Sequence, residues 1–217
     1  MSDGDPLVAD EIMDGVYQAL CDHGYAALTM QDIADECGKS KSLLHYHYDT
    51  KEDLLVAFLD QMLADYEEQI ECRSGKPPVE RLVEFIARFV FTPEETERAS
   101  FHLALLEMRS QGPFNERIRE PLQRSDELLR NAVVDILEDG IEAGVFEPVP
   151  VEETAALLVA MLDGARTRQV TLSEGDADED TYTRTVAEQA LEQIVDPLLA
   201  PDVDRPSLEE TLASLRR

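Results

Sequence analysis

The sequence predicts an all-α chain. Three observations carry that reading. Apolar residues recur at helical spacing nearly throughout, no stretch alternates with the period of two that a half-buried strand needs, and the breaks fall at glycines, prolines and capping residues. At 217 residues, 43% of them hydrophobic, the chain is long enough to bury a sizeable core as one or two domains.

The first helix is expected from about Pro6 to His23, with Val8, Ile12, Val16 and Leu20 on one stripe and Gly24 at its C-terminus. "TMQD" opens the second: Thr29 can cap the amide of Asp32 while the Asp32 carboxylate reaches back, and Gly38 ends the helix. A short third helix follows from about Lys41 to Tyr48. The same capping pattern in "TKED", Thr50 to Asp53, starts a long helix lined by Leu55, Phe58, Leu59, Met62, Tyr66 and Ile70 and closed by Gly75, Pro77 and Pro78.

Further helices are expected from about Val79 to Phe91, and from a Thr92 cap with Pro93 in the first turn to about Ser110. Beyond the punctuating Pro113 and Pro121 comes one from Leu122 to Ala143, carrying Leu129, Val133, Ile136 and Leu137 and ended by Gly144. "VFEPVPV" reads as a connector. Glu152 to Thr171 reads as a helix apolar almost all round, which predicts packing on two sides. "SEGDADED" reads as a loop, Thr181 to Ile194 as the last long helix, and "SLEETLASL" as a short terminal one.

Charge narrows the setting. Acidic residues outnumber basic ones 47 to 19, a net charge of −28. Such a surface repels itself unless salt screens it, and the Debye length falls to about 3 Å near 1 M. The balance points to the cytoplasm of a salt-accumulating halophile; a surface that attracts basic partners is the alternative. No run of 18 apolar residues exists and the first 15 residues are acidic, so neither a membrane span nor a secretion signal is expected, and the protein is expected to be cytoplasmic. Cys21, Cys37 and Cys72 show no metal spacing and are expected to be reduced, buried and apolar, with a redox-sensing thiol as the minor reading. GxSxG, P-loop, GxGxxG and HExxH signatures are all missing, so the chain is not expected to be an enzyme, and no metal or cofactor is expected.

Against that acidic background, "GKSKSLLHYHYDTKEDL" holds three of the four lysines and two of the four histidines. Three short helices, the second and third joined by a tight glycine turn, make a helix-turn-helix, which lays one helix into a DNA major groove. On a wheel of the third helix Leu44 and Tyr48 face inward, Ser42, Leu43 and Tyr46 point outward, and His45 and His47 flank that outer face. An aromatic, a hydroxyl, two imidazoles and a lysine suit DNA. Tyr46 and His47 can donate to phosphates, Ser42 and His45 can reach base edges, and Leu43 can touch a thymine methyl.

"LTMQDIADECGKSKSLLHYHYDTKEDLL", Leu28 to Leu55, resembles the N-terminal DNA-binding domain of TetR-family transcriptional regulators, with turn, recognition helix and the following Lys-Glu-Asp-Leu in register. The resemblance implies a helix-turn-helix domain over residues 1–50 and a helical effector-binding and dimerisation domain over 51–217. It implies a homodimer on double-stranded DNA with a pseudo-palindromic operator, released by an unknown small-molecule effector. Thr29 and Gln31 match phosphate and base contacts, Lys41, Ser42, Leu43 and His45 match base-reading positions, and Tyr46, His47 and Lys51 match phosphate positions. His45 stands where the family usually has tyrosine and Leu43 where a small or hydroxylated residue is usual; both bear on the target sequence, not on the binding mode.

By the same resemblance an effector pocket is expected among the middle helices, with Phe85, Phe89, Phe101, His102, Met108, Phe114 and Met161 as candidate lining. The small residues of the apolar helix permit close approach to a two-fold partner, so Ala156, Ala160 and Gly164, with Val186 and Ile194 on the next long helix, are the candidate dimer contacts. A helical small-molecule-binding protein or enzyme that no longer uses its head for DNA, and an acidic protein-interaction adaptor, are the rival readings. Salt sets a further question, because a protein with 6–10 phosphate contacts loses roughly 10³–10⁵ in affinity between 50 and 200 mM salt. Either this interface releases few ions or its acidic side chains take up cations on binding.

Overall fold

A computed structural model gives the fold over residues 6–91, 95–172 and 181–216. Helices follow one another as α1 (Pro6–Ala27), α2 (Met30–Glu36), α3 (Lys41–His47), α4 (Lys51–Arg73), α5 (Pro78–Ala87), α6 (Thr96–Gln111), α7 (Glu116–Glu142), α8 (Val151–Leu172) and α9 (Tyr182–Ala190). A π-helical turn (Leu191–Val195) and a single α-turn (Asp196–Leu198) extend α9, and α10 (Leu208–Leu215) follows. Among the described residues the β content is one isolated antiparallel bridge, Phe146 to Leu199. The all-α reading holds.

Packing groups the chain into two compact units, Met1–Tyr66 with Thr96–Arg124, and Glu67–Glu95 with Ser125–Arg217. In the first, α1 packs along α6 and α2, and α2 packs on α3. Ile12, Val16, Leu20, Ile33, Leu44, Leu54, Leu55, Phe58, Phe101, Met108 and Ile118 share one apolar cluster, contributed by every helix of the unit. Arg117 and Arg124 on α7 pair with Asp53 and Asp60 on α4 at the rim.

In the second unit α5 turns nearly every residue from Val79 to Ala87 inward, α10 packs on it, and α8 packs on α9. Ordinary i, i+3, i+4 spacing supplies the rest of that core, including Val133, Leu137, Leu158, Leu162 and Leu191. The 145–151 connector is anchored by paired backbone bonds, Glu147 N–H to the Leu198 carbonyl at 2.7 Å and Ala200 N–H to that of Val145 at 3.0 Å.

Several boundaries differ from expectation. Pro121 does not interrupt the chain: it is buried inside α7, which starts at Glu116 rather than Leu122. The lost backbone bond is offset by burial of Ile118 and Pro121. Helix α5 stops at Ala87, because Phe89 and Val90 tighten into i, i+3 bonds to Ile86 and Ala87. Helix α9 does not end at Ile194; one widened turn carries it on to Leu198. The expected cap and first-turn proline, Thr92 and Pro93, and the "SEGDADED" loop lie outside the described residues. Cys72 is exposed on the last turn of α4, not buried, while Cys21 and Cys37 are half-buried.

Helix α8 is apolar on both sides in sequence yet packs on one side within the chain: Ala155, Leu158, Val159, Leu162 and Ala165 are buried, whereas Ala156, Leu157, Ala160 and Gly164 face outward.

The close approach at Gly140 tests this packing. A β-carbon there would stand 1.9 Å from the Phe146 ring. Overpacking of that kind costs about 1–3 kcal/mol, so Gly140→Ala is expected to lower the thermal midpoint by about 2–12 °C. Gly75→Ala, with open space around it, should leave the melting curve in place.

Candidate nucleic-acid interface

The head is assembled from local rules. Thr29 accepts the Asp32 N–H at 3.3 Å, and the Asp32 carboxylate accepts the Thr29 N–H at 2.8 Å. This reciprocal box fixes where α2 begins, a contribution of about 1 kcal/mol for such caps. Helix α2 ends at Gly38, whose φ of 62° lies in the left-handed region, and Lys39 N–H closes on the Ala34 carbonyl at 3.0 Å. Ser40 then caps α3 by accepting the Leu43 N–H at 3.2 Å. A second box, Thr50 with Asp53, starts α4.

The Thr29 hydroxyl holds the Asp32 carboxyl below the usual carboxylate range, and the Thr50 hydroxyl with Arg117 does the same for Asp53. With the folded value depressed, each box contributes fully above the unfolded carboxyl pKa, about 4, and its contribution is lost as the pH falls through the folded value.

Helix α3 has seven residues and one fully buried side chain, Leu44 at 0% exposure, with Tyr48 half-buried beside it. Everything else on α3 is presented outward. Lys41, Ser42, His45, Tyr46 and His47 are exposed, Leu43 is intermediate, and Tyr46 reaches 72%. The Tyr46 and His47 rings meet edge to face at 5.1 Å. The wheel and the burial pattern agree. The face offers hydroxyl and imidazole donors and one aromatic ring on a rigid support, chemistry that suits phosphate oxygens and base edges.

The lysines are less available than the sequence suggests. Lys39 is ion-paired with Glu11 on α1. Lys51 is half-buried and donates to the carbonyls of Tyr25 at 3.1 Å and Leu28 at 2.8 Å, with its ammonium 4.9 Å from the Tyr25 ring centre. Burial pushes its pKa down. Lys41 is exposed and has no acidic partner among the described residues. Gln31 is exposed but donates to Asp35 at 2.7 Å, and the Thr29 hydroxyl is engaged in its capping box. Sequence spacing brought these residues to one segment; it held no signal for the partner of Lys39, 28 positions away, or for the carbonyls that Lys51 finds 23 and 26 positions back.

A further brace was missed. Glu107 on α6 accepts the Ala26 N–H at 3.0 Å, just before α2. Together Lys51 and Glu107 hold the 25–28 junction from α4 and α6.

The other candidates are dispersed. Phe101 and Met108 are buried in the first unit, where the Phe101 ring meets those of Tyr17 at 4.6 Å and Phe58 at 5.9 Å. His102 is half-buried next to Phe101. Phe114 is 88% exposed on the turn before α7, and nothing in its unit encloses it. The Phe85 and Phe89 rings meet at 5.3 Å, tilted by 45°, in the core of the second unit, where the Arg166 guanidinium lies 4.0 Å over Phe89 and Met161 is partly buried. Ala156, Ala160 and Gly164 make an exposed row on α8 beside Leu157, which is 59% exposed, while Val186 and Ile194 are partly buried. Burial raises the Cys21 thiol to about 11, a poor setting for a redox sensor. The described residues contain no cluster of three potential metal ligands and no helix long and apolar enough to cross a membrane.

Two family models match the chain. Bacterial regulatory proteins of the tetR family match residues 12–58, and the C-terminal domain of BetI-type transcriptional repressors matches 78–200, more than half of the chain. The crystal structure of a TetR transcription regulator from Haloarcula marismortui is 38% identical, with a TM-score of 0.77 over 90% of this chain and 100% of that one. An HTH-type transcriptional regulator of Bacillus subtilis, YerO, is 32% identical over 133 residues, 57% of this chain and 45% of that protein. The crystal structure of a transcriptional regulator from Saccharomonospora viridis in complex with choline is 22% identical, with a TM-score of 0.73 over 90% of this chain and 100% of that one.

The two tyrosine and lysine positions separate by stability. Tyr46→Ala, at an exposed site, should leave unfolding free energy within about 0.5 kcal/mol of the parent. Lys51→Met strands two carbonyls and should cost about 1–3 kcal/mol. Denaturant titration of both variants in molar KCl checks this ordering.

Proposed function

The chain belongs to the TetR family of transcriptional regulators and is a DNA-binding regulator, and from that premise we propose how it works. It acts in the cytoplasm as a homodimeric repressor, and its two heads read the half-sites of a pseudo-palindromic operator. Residues 1–50 form the reading domain and residues 51–217 the effector-binding and dimerisation domain. The observation that carries the proposal is the outer face of α3, where Ser42, His45 and the 72%-exposed Tyr46 project from a helix whose opposite side is pinned by buried Leu44. Ser42, Leu43, His45 and Lys41 read bases. Tyr46 and His47 hold phosphate, with Thr29, Gln31 and Lys51 at its edge.

The second copy meets the exposed row of Ala156, Ala160 and Gly164 on α8, flanked by Leu157, Val186 and Ile194. Small residues let two helix backbones approach closely, and a monomer in water has no reason to display Leu157 and this row together. A small-molecule effector bound in the C-terminal helical domain, with Phe85, Phe89 and Met161 of the second unit as its candidate lining, shifts the population toward a head spacing that no longer fits successive major grooves. The choline complex of the Saccharomonospora viridis regulator supports a small molecule as the effector class. The acidic surface, and the 38% identity to a Haloarcula marismortui protein, support a halophilic setting.

Selection of genomic DNA fragments by the purified protein in about 2 M KCl tests the reading. One palindromic motif is expected to enrich, and Tyr46→Ala with Lys41→Ala should abolish it. His45→Ala should retain binding with an altered base preference; identical preference profiles for that variant and the parent would remove His45 from base reading. At the dimer face, Gly164→Glu is expected to give a folded monomer by sedimentation, since a side chain there meets nothing within 4 Å in the single chain.

A further inference from the structure

Before Arg73 this chain contains no arginine, and residues 1–50 hold two lysines against ten aspartates and glutamates. A DNA-reading head of that composition has little charge to spend on phosphate. The structure reduces it further. The Glu11 carboxylate neutralises Lys39. Lys51 carries its charge half-buried, with two of its three donors given to the Tyr25 and Leu28 carbonyls. Lys41 is the one lysine of the head that is exposed with no acidic partner among the described residues. Exposed Asp35, Glu36 and Asp49 flank the same helices.

The neutral donors, by contrast, are well presented. Tyr46 and Ser42 offer hydroxyls on α3, with His45 and His47 exposed beside them. Hydrogen bonds from such groups to phosphate release no counterion, because they neutralise no charge. Only cations contribute to the salt slope, about −0.9 per neutralised phosphate.

We propose that this head holds the DNA backbone chiefly with neutral donors, so that operator binding releases few counterions and persists in concentrated salt. The proposal rests on the regulator reading above. It chooses between the two answers to the salt question, since the loss of cationic contacts is already built into the fold and cation uptake is not required. With Lys41 alone effective in each head, a dimer neutralises about two phosphates; with Lys51 as well, about four. The slope of log K against log[KCl] is then between roughly −2 and −4, against roughly −5 to −9 for 6–10 contacts.

The experiment is equilibrium binding of the full-length protein to a fluorescent operator duplex, taken from the genomic selection, from 0.2 to 2.5 M KCl. Glu11→Gln is measured alongside, with circular dichroism confirming its fold. The parent is expected to give a slope no steeper than about −4. Glu11→Gln frees Lys39 in both heads, and its slope should steepen by about 2, with tighter binding at the low-salt end. A parent slope of −6 or steeper on a specifically bound operator overturns the inference and leaves the regulator reading intact. A shallow parent slope that Glu11→Gln does not change overturns it too, since the Lys39 pairing would then be irrelevant to the phosphate count. Failure of the selection to yield any bound duplex at any salt overturns the regulator reading itself, and the inference with it.

Discussion

One leucine orients the reading surface. Helix α3 is two turns long, far shorter than the length at which a helix is stable alone in water, and Leu44 is its single fully buried side chain. Its place in the cluster with Ile12, Val16, Ile33, Leu54 and Leu55 sets which way Ser42, His45 and Tyr46 point. The Ser40 cap and half-buried Tyr48 fix the two ends. Because α1, α2, α4 and α6 all contribute to that cluster, the outer face of a seven-residue helix inherits the rigidity of the whole unit.

The same economy governs the charges. A strongly acidic chain stays dispersed where salt screens it, but it leaves few cations for any one task. The head spends its lysines on its own architecture: Lys39 ties the inter-helix turn to α1, and Lys51 satisfies carbonyls at the α1–α2 junction that Glu107 braces from the other side. What is left facing outward on α3 is mostly uncharged. A surface built this way exchanges affinity at low salt for tolerance of high salt, which is the useful direction for a protein in concentrated electrolyte.

Much of this was legible in the sequence because it is local. Thr29 with Asp32, Thr50 with Asp53, and Gly38 and Gly144 just beyond α2 and α7 act within four residues, and each appears where its spacing places it, whereas Gly24, expected to end α1, kinks it instead. The inward turn of Leu44 follows from helical periodicity alone. What could not be read was set by distant partners. Lys51, read as a phosphate ligand, also serves two carbonyls 23 and 26 positions back; Pro121, read as a terminator, is buried within α7 with Ile118; and Phe114, read as pocket lining, is carried on a turn that faces solvent. On α8, apolarity on both sides signalled two packing faces, and sequence could not say that the second one would be left open by this chain.

The central claim is that the outer face of α3 lies in a DNA groove. The most direct test is a crystal structure of the protein on its selected operator, grown from molar KCl. The account predicts Ser42 and His45 at base edges of the major groove, Tyr46 on a phosphate, and Leu44 as buried as it is without DNA. DNA seated on any other surface, or an α3 face left in solvent in the complex, would contradict it.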